Sequence, residues 1–199
     1  MKKLLLTIFL PFSILMAANA QNIDLRFLEY VNGPDRPADK TWHFVSNSML
    51  YVSIATPASM IVTGLASNNK ELTTKGLETV GSIAIAEGAT LVLKNVVKRE
   101  RPDIAHPDLI IGKTNAKDYS FPSGHTSVAF ATATSLSLSF PKWYVIAPAY
   151  TYAAAVGYSR MYLGVHYPSD VFAGALVGAG SSFLTWKLQK LLDKKYHHN

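Results

Sequence analysis

Residues 168–188 read PSDVFAGALVGAGSSFLTWKL, and this stretch decides the fold. Its small residues, Ala173-Gly174-Ala175 and Gly178-Ala179-Gly180, sit among large apolar ones. Residues of that size let helix backbones approach closely, so the stretch reads as one helix packed against others. Working back along the chain, four more apolar segments of helical length appear: His43–Ala66, Leu77–Val97, His125–Phe140 and Trp143–Tyr158, with Pro168–Leu188 as the fifth. Polar breaks separate them at Ser67–Gly76, Lys98–Gly124, Pro141–Lys142 and Ser159–Tyr167. Nowhere does the pattern alternate as a half-buried strand does. The expected fold class is therefore all-α, a helical bundle.

Composition sets the outer bounds. The chain has 199 residues, 49% of them apolar and 16% charged, enough for one domain or a small bundle of membrane helices and too apolar for disorder. The absence of cysteine excludes disulfide frameworks, Cys-based zinc sites, iron–sulfur clusters and thiol catalysis. There is no heptad run and no internal period. A net charge of +6 is compatible with nucleic acid, an anionic membrane surface or an anionic substrate.

Residues 1–20 have the form of an export signal. Lys2 and Lys3 precede an apolar run from Leu4 to Met16, and Ala18-Asn19-Ala20 supplies the small-x-small pattern for cleavage after Ala20. The alternative is an uncleaved first transmembrane helix, for which the apolar stretch is short. Either reading starts residues 21–42, a polar extracytoplasmic arm, outside the cytoplasm. Cleavage removes two lysines and lowers the net charge from +6 to +4. No amphipathic element masses the remaining basic residues, so nucleic acid drops out as a partner, and nothing in the chain calls for an obligate protein partner.

The bundle, residues 43–192, has segments near the length needed to span a bilayer, and the expectation is about five membrane-spanning helices after the signal peptide. A mean hydropathy of +0.14, with Glu78, Glu87 and Asn47 inside segments, keeps a soluble periplasmic bundle open as the alternative. Topology favours the membrane. Entry from outside leaves the C-terminal Lys187, Lys190, Lys194 and Lys195, and with them the basic tail 193–199, on the cytoplasmic side, as the positive-inside rule asks. The basic run Lys94–Arg101 falls on the outside and needs a chemical explanation.

Three clusters supply one. In Lys94-x6-Arg101-Pro102, a helix continuing to Glu100 would align Lys94, Lys98 and Arg101 on one face before Pro102 ends it. In Pro122-Ser123-Gly124-His125, Ser123 is an N-cap candidate, and the free N–H groups of the first turn form an anion site beside His125. In Ser159-Arg160-x5-His166-x3-Asp170, Pro168 can open the last helix, with the Asp170 carboxylate in reach of the His166 imidazole. Taken singly, each has an ordinary structural reading: a solvated cationic face, a capped helix, a helix-dipole carboxylate. Together they fall on one side of the expected topology. Two histidines, an orienting carboxylate and several cations are what phosphoryl transfer requires.

These eleven positions resemble the three-part signature of the type 2 phosphatidic acid phosphatase and vanadium haloperoxidase superfamily, over about Lys94 to Gly178. The phrases Ser120-Phe121-Pro122-Ser123-Gly124-His125-Thr126-Ser127 and His166-Tyr167-Pro168-Ser169-Asp170 are most similar to its membrane lipid-phosphatase branch. That branch typically has six membrane helices; here the signal stands where the first would be. The resemblance implies that His166 attacks phosphorus, Asp170 orients it, and His125 protonates the leaving oxygen and then activates water. It implies that Lys94, Arg101, Ser123, Gly124 and Arg160 hold the phosphoryl oxygens, with no cofactor and no metal. The implied activity is a phosphatase for a lipid phosphate or lipid pyrophosphate, in the cytoplasmic (inner) membrane with its active site facing the periplasm. The loop Asp103–Phe121 would shape headgroup choice. A soluble periplasmic acid phosphatase, a haloperoxidase and a non-enzymatic transporter or scaffold are the competing readings.

Overall fold

The computed structural model describes residues 23–196. The expected signal peptide and the His197-His198 pair lie outside the described residues. The described chain is helical, with no strand: α1 (residues 23–31), α2 (Asp39–Ala66), α3 (Lys70–Val97), α4 (Pro102–Ala105), α5 (Gly124–Ser139), α6 (Trp143–Tyr162) and α7 (Pro168–Tyr196).

Each of the five expected segments is a helix, with shifted ends. The break expected at Ser67–Gly76 shrinks to residues 67–69, because the Asn69 side chain accepts the Leu72 N–H at 3.0 Å and caps α3. Apolar patterning marks only the apolar part of a helix, so it misses such a polar first turn. For the same reason α6 runs on to Tyr162, which puts Ser159 and Arg160 in its last turn and not in the following loop. The tail is helical to Tyr196.

α5 lies at the centre. Ala129, Ala131, Thr132, Ala133, Thr134 and Ser135 are all buried, and its closest partner is α7. The crossing depends on the glycines of the opening stretch. A Cβ on Gly174 would stand 2.6 Å from the Ser123 carbonyl oxygen, and one on Gly178 would press on the Ser127 carbonyl. Ser182 Oγ donates to the Ala131 carbonyl at 2.8 Å across the same contact.

The bundle carries its polarity inside. Ser46, Ser53, Thr79, Ser82, Thr90 and Ser127 are buried, while Leu50, Ile54, Val62, Leu91, Val92, Phe172 and Leu176 face outward. Water gives no reason for that arrangement; hydrocarbon does. Three helices, α2, α3 and α7, are long and apolar enough to cross a membrane. α5, with 16 residues, rises roughly 24 Å and falls short of a bilayer's hydrocarbon core. α6 is not among the three either.

Of the expected arm, residues 23–38 fold onto one end of the bundle, and residues 39–42 are the first turn of α2. α1 buries Leu28 against Ile110 and Tyr167, and Val31 against Tyr162, Leu163 and Val165. Asn32 Nδ2 donates to the carbonyls of Ile111 (3.0 Å) and Tyr162 (2.9 Å), tying the arm to the long α4–α5 connection.

Candidate active site

The expected cationic stripe does not form as a continuous helix face. Lys98 adopts a left-handed conformation (φ 51°) and ends α3 at Val97, so its side chain points to solvent. The reversal turns Arg99 and Arg101 inward. Pro102 starts the short α4 with Arg101 as its N-cap, where a proline is favoured; it does not terminate α3.

Ser123 is the N-cap of α5, and its N–H donates to the Asp170 carbonyl at 3.0 Å, which joins the start of α5 to the start of α7. Its hydroxyl accepts from the Thr126 hydroxyl at 2.9 Å and is fully buried. Ser123 does not line the adjoining cavity; Gly124 and His125 do. That cavity, of about 690 Å³, brings together Lys94, Arg101, Gly124, His125, Arg160 and His166 from five separate parts of the chain. Its remaining wall is mixed, with Leu50, Ile54, Ile83, Leu91 and Val128 beside polar residues such as Asn47, Glu87 and Lys117. Arg160 donates to Ser46 Oγ at 2.6 Å, and its buried Nε has no acceptor among the described residues.

His166 is 2% exposed. Burial pushes its imidazole down, and the Asp170 contact pulls it back only in part, to about 4, so the ring is neutral at neutral pH. Arg101 Nη1 lies 3.2 Å from Nε2. A guanidinium only donates, so Nε2 presents its lone pair and the ring proton sits on Nδ1. Nδ1 faces Asp170 Oδ2 at 3.6 Å, longer than a hydrogen bond. Asp170 is fully buried and held from behind: Oδ1 accepts from Arg99 Nη1 at 2.7 Å and Oδ2 from the Tyr167 N–H at 3.0 Å.

Besides Glu87 and Lys117 in the cavity lining, two charged residues outside the motifs bind the site's own charged side chains. Arg99 is one; only its place inside the Lys94–Arg101 spacing hinted at it. Asp118 is the other. Its carboxylate takes the Lys94 ammonium at 3.0 Å and the Arg101 guanidinium, while Arg101 Nε donates to its carbonyl at 2.7 Å. Burial pushes the Asp118 carboxyl up, but the hydrogen bonds from Lys94 and Arg101 outweigh it and hold it at about 2. An anion therefore already sits on two of the cavity cations, Lys94 and Arg101, while Arg160 and the exposed Lys117 also line the space. Among the described residues no three His, Asp or Glu side chains gather as a metal site would need.

Residues 75–193 match the PAP2 superfamily. The chain belongs to that superfamily. An undecaprenyl-diphosphatase of Sulfolobus acidocaldarius is 38% identical over 115 residues, 57% of this chain and 55% of that protein. A lipid A 1-phosphatase of Rhizobium etli is 38% identical over 98 residues, 47% of this chain and 41% of its own length. The chain thus spans about half the length of the curated relatives it matches. The crystal structure of a transmembrane PAP2 type phosphatidylglycerolphosphate phosphatase from Bacillus subtilis superposes with a TM-score of 0.71, at 24% identity over 93% of this chain and 95% of that one. At that identity the likeness concerns the PAP2 fold.

Proposed function

We propose that this PAP2 protein is a metal-independent phosphatase that hydrolyses a lipid phosphate or lipid pyrophosphate through a phosphohistidine on His166. One observation carries the reading: a neutral imidazole nitrogen faces a cavity whose lining combines buried cations with several large apolar side chains. Lys94, Arg101, Arg160 and the N–H groups at the start of α5 neutralise the phosphoryl oxygens, which take the place of the Asp118 carboxylate. The His166 Nε2 lone pair then forms the N–P bond as the bond from phosphorus to the leaving oxygen breaks. His125, protonated as the imidazolium that the bound phosphoryl anion favours, gives that oxygen its proton, then regains one from the water that cleaves the N–P bond, releasing phosphate and free His166. Asp170 supports the positive charge that develops on the ring.

The large apolar residues in the cavity lining, with Val62, Leu65, Val92, Phe172 and Leu176 exposed elsewhere on the helices, favour a lipid leaving group in a membrane. The undecaprenyl-diphosphatase and lipid A 1-phosphatase relatives share that substrate class by name. The basic end of α7 on the cytoplasmic side gives the cavity, at the opposite ends of the helices, a periplasmic aspect. The test is a phosphate-release screen of phosphatidate, a polyprenyl diphosphate and lipid A phosphate beside soluble phosphomonoesters, with and without EDTA. Turnover of at least one lipid phosphate, unchanged by chelation, is expected. Turnover confined to soluble esters would favour a periplasmic acid phosphatase, and loss on chelation restored by magnesium would overturn the metal-free mechanism.

A further inference from the structure

Of the site's four buried or half-buried cations, Arg99 alone stays out of the cavity. Lys94, Arg101 and Arg160 line the space where a phosphoryl group would sit. Arg99 lies behind it and bridges two carboxylates. Its Nη1 donates to Asp170 Oδ1 and to Ser169 Oγ, both at 2.7 Å, and its Nη2 to Asp24 Oδ2 at 3.1 Å. The guanidinium also stacks on the Tyr167 ring, 3.8 Å from the centroid. Asp24 belongs to α1, and its other contacts run to the same place: it accepts the Ser169 N–H at 3.0 Å and the Ser169 hydroxyl.

We infer that Asp24 of the N-terminal arm is a positioning residue for the reaction, holding Arg99 so that Arg99 fixes Asp170 behind His166. The inference rests on the phosphohistidine reading above. A planar guanidinium gripped by two carboxylates has one orientation available. With Asp24 neutralised, Arg99 keeps Asp170, the Ser169 hydroxyl and the Tyr167 ring but loses its second carboxylate, and the carboxylate that faces His166 Nδ1 gains freedom to turn. Small misplacements of that kind are costly to a nucleophile that must meet phosphorus in line. If Asp24 only capped α7, an acceptor for the Ser169 N–H would suffice, and Asp24→Asn keeps one. The charge is needed only if the bond to Arg99 matters.

The experiment compares the full chain with Asp24→Asn, Asp24→Glu, Arg99→Gln and the Asp24→Asn/Arg99→Gln double variant in detergent micelles. Dioctanoyl phosphatidate serves as substrate, with kcat expressed per site capable of forming phosphoenzyme, and orthovanadate as a phosphoryl analogue whose Kd is measured by calorimetry. Asp24→Asn should lose roughly 10- to 100-fold in kcat per site, the range seen when outer partners of an active group are removed, with KM within about twofold. Asp24→Glu should recover most of the loss. The double variant should lose no more than Arg99→Gln alone, because both substitutions break one chain of contacts. Orthovanadate, which must approach the same Nε2, should bind several-fold more weakly to Asp24→Asn. A wild-type kcat per site and vanadate Kd in Asp24→Asn, or losses that multiply in the double variant, would overturn the inference. His166→Ala in the same series keeps the two claims apart: turnover retained there refutes the phosphohistidine reading, whatever the arm variants do. Should phosphatidate not be turned over, the vanadate comparison alone decides whether Asp24 positions the site.

Discussion

Two carboxylates hold arginines on opposite sides of His166, and their surroundings differ sharply. Behind the ring, the Asp170 side chain is 0% exposed and each oxygen has a donor of its own, Arg99 on one and the Tyr167 N–H on the other. In front, the Asp118 side chain is 59% exposed and rests on Arg101 and Lys94, the cations that a substrate phosphate would need. Removing a partner from a buried ion pair leaves a charge without solvent, whereas a carboxylate open to water can yield its place on the cations to another anion. The rear carboxylate is thus a fixture of the site, and the front one an exchangeable occupant of it.

The largest expected effect breaks the rear contact. Asp170→Asn should lower kcat by roughly 10³- to 10⁴-fold, as when the orienting carboxylate of a catalytic histidine is neutralised, with the fold retained by circular dichroism. An Asp118→Asn protein equally impaired would erase the distinction between the two sides.

Titration of the ring sharpens the same comparison. Burial favours the neutral imidazole, so His166 should take up its proton with a midpoint near 4, where an unperturbed histidine does so at 6.5. Above the midpoint the neutral ring persists. The measurement is an NMR titration of ring resonances, assigned by their loss in His166→Ala. A midpoint at or above 6.5 would mean that Asp170 dominates over burial.

The rear wall also depends on the α5–α7 crossing. Gly174→Ala would bring a methyl group 2.6 Å from the carbonyl of Ser123, whose own N–H holds the Asp170 carbonyl. Overpacking of this kind costs about 1–3 kcal/mol, to be read as a lowered midpoint of thermal unfolding in detergent together with reduced kcat.

Much of the bundle was legible because apolar segments and small-residue runs are local patterns. Lys94, Arg101, Gly124, His125, Arg160, His166 and Asp170 were legible because they stand at fixed spacings. Asp24 and Arg99 were not: Asp24 meets Arg99 across 75 positions and Ser169 across 145, and no spacing rule spans such distances. The same limit hid Asp118, a loop carboxylate with nothing beside it in sequence to mark its two cations. The first turns of α2 and α3 escaped for a different reason: hydropathy registers apolar stretches, and both helices begin in polar residues, α3 behind its Asn69 cap.

The smallest expected effect belongs to the front carboxylate. Asp118→Asn removes the charge that competes for the buried Lys94 and Arg101, so orthovanadate affinity should rise severalfold with kcat preserved. Weaker vanadate binding would show that Asp118 helps to build the anion site and does not merely occupy it.

The central claim, that His166 carries the phosphoryl group, is tested most directly by rapid-quench labelling with a radiolabelled lipid phosphate at neutral pH, followed by peptide mapping. The expected result is an acid-labile label on His166 that is absent from His166→Ala and decays more slowly in His125→Ala. Label on His125, or label that persists in His166→Ala, would contradict the account.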